Sequence, residues 1–265
     1  MAGEQAGRIA VRPAFVQNSS RWHAPKGATG NSFEVPPTRF EAKRSSLAAQ
    51  QSLRAAPVKV VVFDWDGTLL DSYHADKCAY EKMFESLGIQ WSTRQLEKHY
   101  SPNWHRVYRA AGIPRSRWEE ADRLWQRHYR SQNPALMPGA RRVLERLLRH
   151  YRLGLVTSGN GARVRKQLRK FGFTRHFAAC VFAEDLRRRK PHPAPLRLAL
   201  QRLKVKPGVC VYVGDSPADV EMARRTGARA IGVFGPFPNR TRLRAAGANA
   251  LLRSLRELPR ALRSL

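Results

Sequence analysis

Apolar residues along this chain recur with two different periods, and the periods alternate. Val58-Lys59-Val60-Val61-Val62-Phe63 is a β-branched, apolar run that predicts a fully buried strand. Residues 71 to about 138 then turn helical. Tyr80, Met83, Phe84 and Leu87 repeat at helical spacing and stop at Gly88. Trp104, Val107, Tyr108 and Ala111 mark a second helical region, ending at Gly112-Ile113-Pro114. Trp118, Ala121, Leu124, Trp125 and Tyr129 mark a third. This block holds no alternating strand and closes at Pro134 and Pro138-Gly139. Its aromatics read as core in preference to a ligand platform.

Beyond the block the pattern predicts a helix (Ala140 to His150), a strand (Arg152 to Val156), a helix (Ala162 to Phe171) and a short strand (Cys180 to Phe182). A helix from Pro195 to Leu203, a strand at Val209, a helix through Asp219 to Thr226 and a strand at Ala230 to Val233 follow. Alternating strands and helices imply right-handed crossovers and an α/β fold with a doubly wound parallel sheet. Ligands of such sheets bind outside the carboxyl ends of the strands. The expected organisation is a core domain of residues 57–70 and 140–265, a helical cap domain of residues 71–139 joined by two hinges, and a tail of residues 1–56.

Composition adds three points. Residues 1–56 show no sustained period and are rich in Ser, Gly, Pro, Ala and Gln, which predicts a disordered, basic, dispensable extension. No apolar run approaches the roughly 20 residues of a membrane span, and no secretory stretch opens the chain. Cys78, Cys180 and Cys210 are odd in number and widely spaced, which suits a reducing cytosol and argues against metal or redox use.

The formal net charge is +29, unevenly spread: residues 140–265 carry 29 basic and 7 acidic residues, net +22. Such a field concentrates anions and can hold nucleic acid non-specifically at low salt. The basic residues are scattered over many segments, and 38 of the 49 are Arg, so compositional drift accounts for them as readily as a binding surface. The densest knot is Arg187-Arg188-Arg189-Lys190.

Four polar clusters each follow an apolar run. Asp64-Trp65-Asp66-Gly67-Thr68 ends the first strand; Thr157-Ser158-Gly159-Asn160 follows Leu153-Gly154-Leu155-Val156; Lys190-Pro191-His192-Pro193 comes next; and Gly214-Asp215-Ser216-Pro217-Ala218-Asp219 follows the strand at Val209. Two carboxylates, a glycine and a hydroxyl at a strand end make an oxygen-rich site suited to a hard cation. Alone, such an Asp-x-Asp-Gly-Thr segment reads equally as a surface turn. In order, spacing and strand context the four clusters together resemble the signature motifs of the haloacid dehalogenase-like phosphohydrolase superfamily, over about residues 58 to 260. Within it the chain looks most like the phosphoglycolate-phosphatase-like branch, which carries a helical cap after the first motif.

That resemblance implies a Mg²⁺-dependent phosphatase acting on a small phosphorylated metabolite, with an aspartyl-phosphate intermediate. By the same resemblance Asp64 is the nucleophile, Asp66 the general acid and base, and Lys190 the charge stabiliser. Asp64, Asp66 (through its carbonyl), Asp215 and Asp219 are the implied metal set. Gly67 is expected to bring amides near the phosphate, and Thr68 to orient the turn. Thr157 and the Ser158 amide are expected to bind phosphoryl oxygens, although Thr157 reads locally as a helix cap. Trp65 is expected to pack toward the cap or to shape the leaving-group space. Tyr73, His74, Asn103, His105 and Arg106 are the polar cap residues to watch for substrate choice. Two alternatives stand beside this reading: a sugar-phosphate mutase of the same fold, and a basic nucleic-acid-binding or terminal-phosphate-trimming protein on that scaffold.

Overall fold

A computed structural model of the protein describes residues 56–237 and 240–265; residues 1–55, nearly all of the expected tail, lie outside the described residues. The chain begins with β1 (Val60–Phe63), then β2 (Leu70–Asp71), α1 (Tyr73–Ser86), α2 (Thr93–His99), α3 (Trp104–Ala110), α4 (Trp118–Arg130) and β3 (Ala135–Leu136). It continues through α5 (Ala140–Leu147), β4 (Arg152–Val156), α6 (Gly161–Lys170), β5 (Ala179–Val181) and α7 (Ala194–Arg202). The last elements are β6 (Cys210–Gly214), α8 (Pro217–Thr226), β7 (Arg229–Val233), α9 (Arg240–Ala245), β8 (Ala250–Leu252) and α10 (Leu258–Arg263). No helix among the described residues is long and apolar enough to cross a membrane.

Six strands form one parallel sheet in the order β5-β4-β1-β6-β7-β8. This is the doubly wound α/β fold that the alternating periods predict. Every residue of β1 is fully buried, because helices cover both faces. Val61 and Phe63 join Leu153, Leu155, Val211 and Val213 beneath α5, α6 and α10. Val60 and Val62 face the other way, toward α7 and α8, with Cys210 and Tyr212. A strand buried on both faces reads as a continuous apolar run, which is why its sequence shows no alternation. The edge strand β8 and the flanking α9 and α10 were not predicted; β8 has only three residues, of which one is buried.

Trp65 continues the β1 alternation after Val61 and Phe63, so its side chain enters the same core and is fully buried. Its indole N–H donates to Gln167 Oε1 at 2.9 Å. The expectation that it faces the cap or the leaving group is therefore corrected.

The helices α1 to α4 enclose a core of their own, built on Met83, Phe84, Leu96, Val107 and Ala121. Helix α1 closes at Gly88, in the left-handed region at φ +72°, with the Ile89 N–H on the Phe84 carbonyl. Helix α2 was not predicted, although Ser92 and Gln95 form a complete capping box at its start. The two segments expected as hinges pair: Leu70 lies opposite Leu136 and Asp71 opposite Ala135, in an antiparallel β2–β3 ribbon that the helical periodicity gave no sign of.

Candidate active site

Strands β4, β1 and β6 are neighbours, so their carboxyl ends bring Thr157, Asp64, Asp66 and Asp215 to one edge of the sheet. Lys190 arrives from the segment between β5 and α7. Its Nζ donates to Asp64 Oδ1 at 2.7 Å and lies 2.8 Å from Asp219 Oδ1, and all three side chains are buried. Although burial opposes it, the two carboxylates, Asp219 first, hold the Lys190 charge above its ordinary range. Asp219 is the third residue of α8, where it accepts from the Ser216 amide at 3.1 Å and the Ser216 hydroxyl at 2.7 Å.

Burial pushes the Asp64 carboxyl up to about 7, against the pull of Lys190. Asp215 is pushed well up by burial and then by Asp64 and Asp219. Single oxygens of Asp64, Asp215 and Asp219 all lie within 4.8 Å of one another. Three crowded, buried carboxylates fit a hard divalent cation, whose charge would relieve the crowding. The Asp66 carboxylate is turned elsewhere.

Gly67 sits at φ +79°, and a Cβ there would meet the Asp215 carboxylate at 2.5 Å. The glycine is thus what allows Asp215 to approach the Asp64 turn. Its N–H donates to the Leu70 carbonyl at 2.8 Å and closes the turn. Thr68, fully buried, donates to Asp215 Oδ1 at 2.9 Å. The Thr157 Oγ1 accepts from the Gly159 amide at 2.9 Å. The helix cap is Asn160, whose side chain accepts from Ala162 and Arg163, so the local reading of Thr157 as a cap falls away. Ser158 lines the cavity beside it.

Arg163, which no sequence signal singled out, grips Asp66 with two bonds, Nη1 to Oδ1 at 2.8 Å and Nη2 to Oδ2 at 2.6 Å. Its guanidinium also lies over Tyr129, 4.9 Å from the ring centre, and over Trp125 at 5.9 Å. Although burial opposes it, Asp66 keeps Arg163 firmly charged. Only the Asn160 cap, which fixes where α6 starts and sets Arg163 in its first turn, hinted at this placement.

A cavity of about 270 Å³ opens between this edge and the helical insertion. On the sheet side it is lined by Asp64, Asp66, Thr157, Ser158, Arg163 and Asp215; on the helical side by Asp76, Tyr80, Tyr100, Trp104, Asp122 and Trp125. None of Tyr73, His74, Asn103, His105 or Arg106 lines it, because the insertion turns its ring-bearing faces to the cavity. Several aromatics expected to serve only as core therefore also form a wall. Arg189, of the arginine knot, lies 3.8 Å from the Trp104 ring centre.

The family described as haloacid dehalogenase-like hydrolase matches residues 61–233. A phosphoglycolate phosphatase of Chromobacterium violaceum is 33% identical over 215 residues, covering 76% of this chain and 95% of that protein. A pyrophosphatase, PpaX, of Oceanobacillus iheyensis is 22% identical over 205 residues, covering 76% of this chain and 95% of its own. The crystal structure of a hydrolase from Pseudomonas syringae superposes with a TM-score of 0.71 at 21% identity, over 78% of this chain and 99% of that one.

Proposed function

The chain belongs to the haloacid dehalogenase-like hydrolase family and is a phosphatase, and from that footing we propose that it hydrolyses a small-molecule phosphate monoester with Mg²⁺, through an aspartyl-phosphate on Asp64. The observation that carries the reading is Asp64 itself. It is a buried carboxylate at the end of the central strand, one oxygen held by Lys190, at the mouth of a cavity wide enough for a phosphorylated metabolite.

In this reading Asp64 attacks the phosphorus in line, and the bond to the leaving oxygen breaks as the bond to Asp64 forms. Asp66, once turned from Arg163 and protonated, gives a proton to that oxygen and then takes one from the water that hydrolyses the acyl phosphate. The products are an alcohol and inorganic phosphate, and Asp64 is regenerated. Lys190 and the Thr157 hydroxyl balance charge on the transferring group, with the Ser158 amide beside them. Asp64, Asp215 and the Asp66 carbonyl would hold the Mg²⁺, with Asp219 supporting through Lys190 and Ser216. The cation would neutralise the mutual repulsion of carboxylate and phosphate. The helices of residues 71–139 act as a cap over this edge, and a cytosolic setting belongs to the same reading.

The names of the relatives make phosphoglycolate the first substrate to test. Phosphate release from a panel of metabolites, with and without Mg²⁺, is expected from the wild type and absent from a folded Asp64→Asn variant. Normal turnover by that variant would sink the covalent route. Bisphosphate products with no free phosphate would replace hydrolysis by mutase chemistry.

A further inference from the structure

The far wall of the cavity says more about the leaving group than the catalytic edge does. It carries the rings of Tyr80, Tyr100, Trp104, Tyr108, Trp125 and Phe237. Two are braced by a second ring: Tyr100 stacks on Phe237 at 4.2 Å and Trp125 on Tyr129 at 4.7 Å. Braced rings hold their orientation, which favours a flat partner over a flexible chain. The Trp125 indole N–H is buried with no hydrogen-bond partner among the described residues.

Charge gives an acidic leaving group less than the rings give a flat one. Among the described residues the lining holds six carboxylates, Asp64, Asp66, Asp76, Asp122, Glu184 and Asp215, and two cations, Arg163 and Arg189. Arg163 is committed to Asp66. Arg189 lies against Trp104 and within the field of Asp122 and Glu184. Outside the edge that would hold the cation and the Asp66–Arg163 pair, the lining offers a substrate carboxylate one cation, Arg189, with Asp122 and Glu184 beside it. The space, equal to the liquid volume of about nine waters, would also leave most of the aromatic wall bare beside a two-carbon acid.

We propose that the substrate is a phosphate monoester whose leaving group bears a flat, uncharged ring, seated against the wall formed by Tyr80, Tyr100, Trp104 and Trp125, in preference to a phosphorylated carboxylic acid. The proposal rests on the phosphatase reading of the same site. It names what departs with the leaving oxygen: the alcohol released on cleavage carries the ring, and the phosphoryl group passes to Asp64 as described.

The test is calorimetric titration of the Asp64→Asn protein, with Mg²⁺, using benzyl phosphate, cyclohexylmethyl phosphate and phosphoglycolate. The first two have leaving groups of like size and acidity and differ in flatness and π-character. Benzyl phosphate is expected to bind about ten-fold more tightly than either of the others. Trp125→Leu in the same background is expected to erase most of that margin. Equal binding of the first two, stronger binding of phosphoglycolate, or no binding of benzyl phosphate would overturn the proposal. Wild-type kcat/KM on the same compounds gives a second measurement that does not depend on the variant's folding. Benzyl phosphate that binds but is never hydrolysed defeats the phosphatase reading and leaves the ring site standing. Hydrolysis of phosphoglycolate with higher kcat/KM than benzyl phosphate does the reverse.

Discussion

Lys190 spends its whole charge inside the protein. It is 2% exposed and shared between Asp64 and Asp219, so removing it strands two buried carboxylates. Breaking a buried pair by deleting one partner costs about 3–5 kcal/mol, and Lys190→Met is expected to lose roughly that much in urea denaturation, along with all turnover. Asp76 presents the opposite case. Burial, and then the nearby Asp66, push its carboxyl up to about 8, while the Ser72 hydroxyl donates to it at 3.1 Å. The fold therefore favours the protonated acid. That stability is complete below the ordinary carboxylate range, near pH 4, and is lost as pH rises through about 8. Asp76→Asn, which keeps the neutral shape, is expected to flatten the fall in unfolding midpoint between pH 6 and 9. An unchanged slope would mean that the carboxyl ionises without penalty.

Helix α2 owes its start to the Ser92–Gln95 box, with the Ser92 amide donating to Gln95 Oε1 at 2.9 Å. Ser92→Ala is expected to lower stability by about 1 kcal/mol, read as a shifted denaturation midpoint with unchanged slope. The same helix shows where reading the sequence stops. Elements packed on both sides, such as β1, β4 and β6, announce themselves, because burial imposes apolar runs that no surface segment tolerates. Short, half-exposed pieces such as α2, β3 and β8 carry few buried residues and are fixed by partners distant in sequence. Asp64, Asp66, Thr157, Lys190, Asp215 and Asp219 could be named from the sequence because the family resemblance singles out the segments that hold them. Arg163 and the aromatic wall could not, because their meaning depends on which helix face meets which across the cavity. A periodicity marks a face as apolar without saying that a second surface stops short of it.

Over the molecule as a whole the charge outweighs any local feature: net +29 for the chain, against six acids gathered at one cavity. Scattered arginines should bind a labelled single-stranded oligonucleotide at low salt with no sequence preference. Anisotropy titrations are expected to show that affinity falling roughly a hundred-fold between about 50 and 200 mM salt. Affinity that survives the higher salt would point to a built nucleic-acid site instead. The ribbon of Leu70–Asp71 against Ala135–Leu136 has a different reach. Topologically it is a β-hairpin whose loop is the entire run of residues 72–134, and chain closure penalises loop length only logarithmically. The two ends of the insertion lie side by side, so a change in its length need not re-register a strand of the main sheet. Change in what the protein accepts can thus proceed in one module while the acid-and-lysine edge stays as it is.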